Sequence, residues 1–269
     1  MKTISEARCF GGVQGVYSHS SKATGTEMTF GLFLPPDPVG APVLWYLSGL
    51  TCTHENAMTK AGLQAWASEA EIAIVFPDTS PRGEDVPDKD AFDMGQGAGF
   101  YVDATEAPWA THFQMESYIT KDLPDLILGT FDLDGDSQSI TGHSMGGHGA
   151  LTLALKHPGR YRSVSAFAPI CNPSASDWGV PQLTAYTGAP EAHDATRLLG
   201  ERSLDAPLLI DTGTADPFRD KLGTAAFAAA LAETEIDSQL NLRRGYDHSY
   251  FFVSTFAARH IAFHMEYLR

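Results

Sequence analysis

The sequence predicts an α/β fold in which a mostly parallel sheet carries helices on both faces. Short apolar runs such as APVLWYLSG and EIAIVFPD are typical of strands buried on both sides, and they alternate with segments of helical periodicity. In ITGHSMGGHGA (140–150), a serine between glycines joins an apolar run to a helical segment. Strands that alternate with helices indicate parallel pairing, because each crossover helix returns the chain to the same edge.

The N-terminal third predicts antiparallel strands followed by the first buried ones. Polar segments with frequent Gly and Ser lead to MTFGLFLPP (28–36), where the Pro pair ends a strand. Three elements then follow: strand APVLWYLSG (41–49), helix AGLQAWASEA (61–70) and strand EIAIVFPD (71–78).

The alternation resumes after residue 115 and continues to the C-terminus. The predicted elements are helix SYITKDLPDLILGTF (117–131), strand SQSITG (137–142), helix MGGHGALTLALKHP (145–158), strand SVSAFAP (163–169), strand APLLIDTG (206–213), an Ala-rich helix (219–234), strand SQLNLRRG (238–245) and helix SYFFVSTFAARHIAFHMEYL (249–268).

Two long excursions interrupt this pattern, at about 78–115 and 170–205. Loops of that length in a compact domain are usually functional or disordered, and the aromatic residues between Phe92 and Trp109 argue against disorder. With no repeat or linker evident, we predict one domain over residues 1–269 whose excursions shape the active-site cleft.

Composition narrows the class of partner and compartment. The chain of 269 residues has 18 Lys+Arg against 33 Asp+Glu, a net charge of −15, which disfavours nucleic acid and anionic membranes as partners. Its three cysteines include no CxxC pair, so a reducing compartment is expected. The N-terminus lacks the apolar core of a signal peptide, and we therefore predict a cytoplasmic protein.

The stretch GHSMG matches the G-x-S-x-G pattern of a nucleophile elbow. A strand enters it and a helix leaves it, as the motif requires, and Gly142, Gly146 and Gly147 supply the small residues that so sharp a turn needs. The alternative is a glycine turn in which Ser144 only caps the helix. The flanking strand and helix favour a nucleophilic Ser144, with the helix N-terminus behind it suited to a developing oxyanion.

A serine nucleophile needs a base, and the base needs a group that orients it. In this architecture the partners follow in the order Ser, acid, His, each in a loop after a strand. Asp211 falls inside the strand APLLIDTG, so we predict Asp216, in the loop beyond it, as the acid. His248 follows the last strand and is the predicted base. Its neighbour Asp247 is a poorer acid candidate, because adjacent side chains seldom face each other.

Two backbone N–H groups should form an oxyanion hole. One is that of Met145, directly after the nucleophile, and the other comes from the loop after the strand APVLWYLSG. There we predict Leu50 as the donor, with Gly49 allowing a close turn. Cys52 lies nearby, either as a modifiable thiol at the rim or as a small buried residue.

Beyond the single motif, the chain contains six segments that are typical, in this order, of one family: SGLTCT, PDTSPRG, GAGFYVDAT, GHSMGGHGAL, SAFAPICNP and GYDHSYFF. Together they resemble the S-formylglutathione hydrolases, serine hydrolases of the esterase D type, from about residue 8 to the C-terminus. The resemblance implies an α/β-hydrolase fold, hydrolysis of a glutathione thioester in cytoplasmic formaldehyde detoxification, no cofactor or metal, and a homodimer. It also implies the triad Ser144, Asp216 and His248.

Substrate contacts are less specified by the sequence. Trp109 and Trp178, one in each excursion, are candidate walls of the cleft or packing aromatics, and His143 beside the nucleophile is a further candidate contact. Lys60, Arg82 and Lys89 are candidates, by location only, for binding the glutathione carboxylates. The alternatives to the thioesterase are a general short-chain carboxylesterase or an acyltransferase, and a binding module that kept the fold but lost catalysis.

Two further patterns favour structure over chemistry. DLDGDS (132–137) resembles a calcium loop but lacks the required Gly and Glu positions, so we predict a plain turn. His260 and His264 are spaced for one helix face, and without a third ligand we predict a packed or solvated face rather than zinc.

Overall fold

A nine-stranded sheet organises the computed structural model, which describes all 269 residues. The spatial order of its strands is β1-β2-β3-β5-β4-β6-β7-β8-β9. In chain order these strands are β1 (Lys2–Cys9), β2 (Gly12–Ser20), β3 (Glu27–Leu34), β4 (Ala41–Leu47), β5 (Ala73–Pro77), β6 (Leu133–Gly142), β7 (Val164–Phe167), β8 (Leu208–Gly213) and β9 (Ser238–Arg243).

The sheet combines an antiparallel start with a parallel body. Strands β1, β2, β3 and β5 pair antiparallel, and the pairings from β5 through β4 and β6 to β9 are parallel. This confirms the predicted class, a mostly parallel sheet with antiparallel N-terminal strands. The chain goes from β4 outward to β5 and later returns to β6 on the other side of β4, which makes the β4–β6 border a switch point. In open parallel sheets, ligands bind outside the carboxyl ends of the strands at such a point.

Helices cover both faces of the sheet. Helices α1 and α2 pack against α10 on one face, and α5, α7 and α9 pack together on the other. No helix is long and apolar enough to span a bilayer. The helices are α1 (His54–Lys60), α2 (Gln64–Ala70), α3 (Met115–Ser117), α4 (Leu123–Thr130), α5 (Met145–Lys156), α6 (Val180–Thr187), α7 (Ala195–Glu201), α8 (Arg219–Leu222), α9 (Thr224–Leu231) and α10 (Tyr250–Leu268).

Several predicted elements differ in detail. The Ala-rich helix predicted over 219–234 is two helices, α8 and α9, because Gly223 adopts φ +70° between them. A π-helical turn over Tyr118–Asp122 interrupts the helix predicted at 117–131. The turn predicted at DLDGDS was wrong: from Leu133 onward this segment extends β6. The excursion over 170–205 contains α6 and α7, which its mixed composition did not predict.

The predicted packed face of the closing helix is a buried polar network. His264 contacts the hydroxyls of Ser163 and Ser165 through its two ring nitrogens, both at 2.8 Å. His260 Nδ1 lies 2.9 Å from Ser165 Oγ, and its ring stacks on Phe167 at a centroid separation of 3.6 Å. Burial lowers the pKa of His264 well below its usual range, so this ring is neutral. These histidines therefore tie α10 to β7.

Candidate active site

The carboxyl ends of the central strands enclose a cavity of about 370 Å³. Residues from the segments that follow six strands, β4 to β9, line it, as expected for a site at the switch point of a parallel sheet. The lining residues are Gly49, Leu50, Thr51, Cys52, Phe92, His143, Ser144, Trp178, Phe218, His248, Ser249 and Tyr250.

Ser144 occupies a sharp turn between β6 and α5. Its backbone adopts φ 60° and ψ −119°, a left-handed conformation that is rare for a residue with a side chain. The turn is held by hydrogen bonds from Ser144 N to Phe167 O at 2.9 Å and from His148 N to Ser144 O at 3.0 Å. Strain of this kind persists only where the surroundings impose it, and here the strain projects the hydroxyl into the cavity.

Glycines make this turn sterically possible. A Cβ on Gly142 would collide with the carbonyl of Gly146, and one on Gly146 would collide with the carbonyl of Leu47 at the end of β4. A Cβ on Gly49 would lie 3.2 Å from the Cβ of Ser144. The loop after β4 and the turn after β6 are therefore in direct backbone contact.

His248 and Asp216 form a hydrogen-bonded pair beside the same cavity. His248 Nδ1 lies 2.6 Å from Asp216 Oδ2, and Asp216 Oδ1 accepts a hydrogen bond from Phe218 N at 2.8 Å. A carboxylate at that distance favours a proton on Nδ1, which leaves Nε2 as the acceptor. The structure has no direct hydrogen bond between Ser144 and His248, although both line the cavity.

The loops that carry Asp216 and His248 are bonded to each other. Thr214 N donates to Arg243 O, and Ala215 N donates to Tyr246 O, both at 2.9 Å. Gly245 N donates to Thr214 Oγ1, also at 2.9 Å. Because β8 and β9 are parallel neighbours, their following loops emerge side by side, and these bonds fix the separation of the acid from the histidine.

The alternative acids have other partners. Asp211 lies within β8 and is fully buried, where it accepts hydrogen bonds from Arg243 at 2.8 and 2.9 Å and from Asn241 at 2.9 Å. Asp247 is exposed and accepts from the backbone and hydroxyl of Ser249, the N-cap of α10. Of the three aspartates considered, only Asp216 contacts His248.

The two predicted oxyanion donors, the N–H groups of Leu50 and Met145, have no hydrogen-bond acceptor in the protein, and Leu50 lines the cavity. Leu50 N makes no hydrogen bond, whereas its neighbours do: Thr51 N donates to Gly97 O at 2.9 Å and Cys52 N to Gly49 O at 3.3 Å. Met145 is the first residue of α5, a position whose N–H has no partner within a helix. Free N–H groups beside a candidate nucleophile can stabilise developing negative charge on an acyl oxygen.

A line of aromatic rings forms one wall of the cavity. The Phe218 ring lies 5.1 Å from that of His248, Trp178 packs on Phe218 at 4.5 Å, and Phe92 lies 6.2 Å from Trp178. Trp178 and Phe92 come from the two excursions. Sequence reasoning missed Phe218 and Tyr250. Phe218 stands two residues beyond Asp216, and Tyr250 stands two residues beyond His248, so the distance along the chain could have indicated both.

Trp109 does not belong to this wall. Its ring is buried edge-on against Phe113 and Tyr186, at centroid distances of 5.0 and 5.1 Å. Of the two roles that the sequence left open for Trp109, packing holds and the cleft wall is corrected: the ring is buried in the core, whereas the same excursion reaches the cavity earlier, at Phe92.

Two titratable side chains in the cavity are held neutral. Burial raises the pKa of the Cys52 thiol, which disfavours the reactive thiolate. Burial, and then the proximity of His248, lowers the pKa of His143 well below its usual range. The rings of His143 and His248 lie 4.6 Å apart, so a neutral His143 allows His248 to accept a proton without a second positive charge beside it.

The predicted cations are placed differently from one another. Arg82 donates from Nε to both carboxylate oxygens of Asp78 at 3.1 Å and from Nη2 to Cys52 O at 2.9 Å. These N–H groups are therefore engaged within the protein rather than directed at a substrate. Lys60 and Lys89 are exposed and do not line the cavity. Lys221, which the sequence did not single out, lies 5.3 Å from the centroid of the Trp178 ring.

An elbow serine, a His–Asp pair and two free N–H groups on this sheet define a serine hydrolase of the α/β-hydrolase fold. The Esterase family model matches residues 21–263. The chain belongs to that family and, within it, to the S-formylglutathione hydrolases.

Close relatives carry that family name over their full lengths. An S-formylglutathione hydrolase of Paracoccus denitrificans (strain Pd 1222) is 59% identical, with 99% of this chain and 98% of the relative covered. One from Mus musculus is 48% identical, with 100% and 99% covered. The solved S-formylglutathione hydrolase of Agrobacterium tumefaciens superposes with a TM-score of 0.97 at 50% identity, and all of both chains is covered.

We predict that Gly146→Ala destabilises the protein by about 1–3 kcal/mol or more, because the new Cβ meets the Leu47 carbonyl, which is backbone and cannot rotate away. The matched control is Gly129→Ala within α4, where a Cβ meets nothing within 4 Å. Since alanine is the better helix former, the control should gain roughly 0.5–1 kcal/mol. Chemical denaturation of both variants measures this, and equal unfolding free energies would contradict the steric account of the elbow.

Proposed function

We propose that this protein hydrolyses the thioester S-formylglutathione to glutathione and formate. The observation that carries the proposal is the cavity itself, where Ser144 and His248, the latter bonded to Asp216, share one small aromatic-walled space in a chain of this family. A general carboxylesterase would use the same residues, so the substrate assignment rests on family membership and on the fit of the cavity.

In the acylation step, Ser144 Oγ forms a bond to the formyl carbon while its proton passes to His248 Nε2. Asp216 keeps the other proton on Nδ1 and stabilises the imidazolium. The carbonyl oxygen becomes an oxyanion that accepts hydrogen bonds from Leu50 N and Met145 N. Collapse of this intermediate breaks the C–S bond; the sulfur leaves with the electron pair and takes the proton from His248 Nε2, so that a thiol departs and the imidazole is neutral again. A thiol with a pKa of about 8.5 needs less protonation to leave than an amine does.

Water completes the reaction. His248 Nε2 takes a proton from the water as its oxygen attacks the formyl-serine ester, and the same two N–H groups hold the second oxyanion. The C–O bond to Ser144 then breaks, Oγ regains a proton from His248, and formate leaves. The oxygen of the water thus ends in formate, and its two protons are accounted for by the released thiol and by the proton that formic acid loses on ionising.

The cavity suits a minimal acyl group on a larger leaving group. A formyl group requires almost no acyl pocket, and the space between Gly49 and Ser144 is too small for an unhindered Cβ, which would lie 3.2 Å from the Ser144 Cβ. We propose that the leaving thiol lies along Phe218, Trp178 and Phe92, so that both excursions of a single-domain chain shape the cleft. Lys221, beside Trp178 and 4.0 Å from Asp177 Oδ2, is the cation that we propose for the carboxylates of glutathione.

The wider biological setting follows the family. We propose that the protein acts in cytoplasmic formaldehyde detoxification, as a homodimer and without a cofactor or metal. Its acidic surface, with a net charge of −15, is compatible with a small-molecule substrate rather than a nucleic-acid or membrane partner.

Replacing the nucleophile tests the mechanism. Ser144→Ala should lower kcat for S-formylglutathione by at least about 10⁴-fold while the fold persists, because no other group can form the acyl intermediate. Ser137→Ala is the matched control: this buried serine lies on β6, the strand that leads into the elbow, and its hydroxyl donates to Leu268 O at 2.7 Å, away from the cavity lining. Substantial turnover by Ser144→Ala would overturn the assignment of the nucleophile.

Substrate comparison separates the thioesterase from a general esterase. We expect kcat/KM for S-formylglutathione to exceed that for p-nitrophenyl acetate by roughly 100-fold or more, because binding of the glutathionyl group contributes to transition-state stabilisation. Steady-state kinetics on the two substrates under one buffer condition provides the measurement. A higher kcat/KM for the simple ester would favour the carboxylesterase.

A further inference from the structure

The loop that presents Leu50 N is held by side chains from a distant part of the chain. Leu50 stands midway between Ser48 and Cys52, and the carbonyl of each accepts hydrogen bonds from residues of the first excursion. Both carbonyls lie in a loop that must keep its shape while the adjacent N–H remains unpaired.

Three donors reach these two carbonyls. Tyr101 Oη donates to Ser48 O at 2.8 Å. Thr79 Oγ1 donates to Cys52 O at 2.5 Å, and Arg82 Nη2 donates to the same oxygen at 2.9 Å. Thr79 and Tyr101 are fully buried, so water does not compete for these bonds.

A fourth bond lies between them. Thr51 N donates to Gly97 O at 2.9 Å, and Thr51 adopts φ 66°, a conformation that its β-branched side chain disfavours. A Cβ on Gly97 would lie 3.3 Å from the Cα of Thr51, so the excursion packs directly on the loop. The peptides on both sides of the Leu50 amide are thereby held.

The donors are themselves fixed. The buried carboxylate of Asp78 receives Arg82 Nε at 3.1 Å and Thr79 N at 2.6 Å. Gly99 N donates to Thr79 O at 3.2 Å, which links the middle of the excursion to its beginning. Asp78 and Thr79 directly follow β5, the parallel neighbour of β4, so the loop after one strand supports the loop after the next.

We infer that Thr79, Arg82 and Tyr101 are positioning residues that aim the Leu50 N–H at the substrate oxyanion. The inference rests on the proposed oxyanion role of Leu50. An oxyanion donor is effective because its direction is set before charge develops, and a loop free to rotate its peptides would lose that advantage. The three side chains touch no substrate and act only through the backbone of residues 48–52.

Two isosteric variants each remove one hydroxyl and keep the shape of the side chain: Thr79→Val and Tyr101→Phe. We expect each to lower kcat roughly 5–20-fold with KM nearly unchanged, and the double variant to approach the roughly 100-fold loss typical of removing one oxyanion donor. The affinity for phenylboronic acid, which forms a tetrahedral adduct with a reactive serine, should fall by the same factors as kcat/KM.

Matched variants distinguish positioning from general stability. Thr79→Ser retains the hydroxyl and should restore most of the activity lost in Thr79→Val. Thr234→Val removes a comparable bond, from Thr234 Oγ1 to Leu231 O at 2.8 Å at the end of α9; neither residue lines the cavity, and kcat should be unchanged.

The inference is overturned if Thr79→Val and Tyr101→Phe retain wild-type kcat and boronate affinity, or if they change KM alone. Measuring every variant with p-nitrophenyl acetate as well keeps the two proposals separate. If the wild-type protein prefers that ester, the thioester assignment falls. The loss of kcat in Thr79→Val and Tyr101→Phe, the variants of the brace formed by Thr79, Arg82 and Tyr101, can still be measured with the ester.

Discussion

The structure depends on one steric constraint, the close contact between the turn after β6 and the loop after β4. Gly146 lies against the carbonyl of Leu47, and Gly49 lies against Ser144, with no room for a Cβ at Gly146. That contact holds Ser144 in its left-handed conformation and places it beside Leu50 at the cavity, with Met145 directly after it in the chain. The same contact therefore positions both the candidate nucleophile and the candidate oxyanion donors.

The rest of the fold maintains that contact from two directions. On one side, parallel pairing of β8 with β9 places the loops of Asp216 and His248 together, and backbone bonds between the loops fix their spacing. On the other side, the excursion after β5 holds Ser48 and Cys52 by their carbonyls. An unpaired N–H such as that of Leu50 is unfavourable in a buried loop unless the neighbouring peptides cannot turn to satisfy it.

The sequence predicted Ser144, Asp216 and His248, which the structure brings together, because the topology of a parallel sheet dictates where strand-end loops meet. The choice of Asp216 over Asp211 depended only on where the strand APLLIDTG ends, and the hydrophobic pattern of the sequence locates such an end well. Trp109 could not be placed in the same way: a long loop with no periodicity does not reveal which of its aromatic residues turn inward. The brace of Thr79, Arg82 and Tyr101 was equally hidden, since its partners are backbone carbonyls that no motif records.

We propose that Leu50 N and Met145 N together receive the oxyanion formed at Ser144. A crystal structure of the protein phosphonylated by a small fluorophosphonate tests this most directly, because the phosphoryl oxygen mimics the oxyanion. We expect a covalent bond to Ser144 Oγ, with the phosphoryl oxygen about 2.7–3.1 Å from both nitrogens. An adduct on another residue, or a phosphoryl oxygen directed away from Leu50 and Met145, would contradict it.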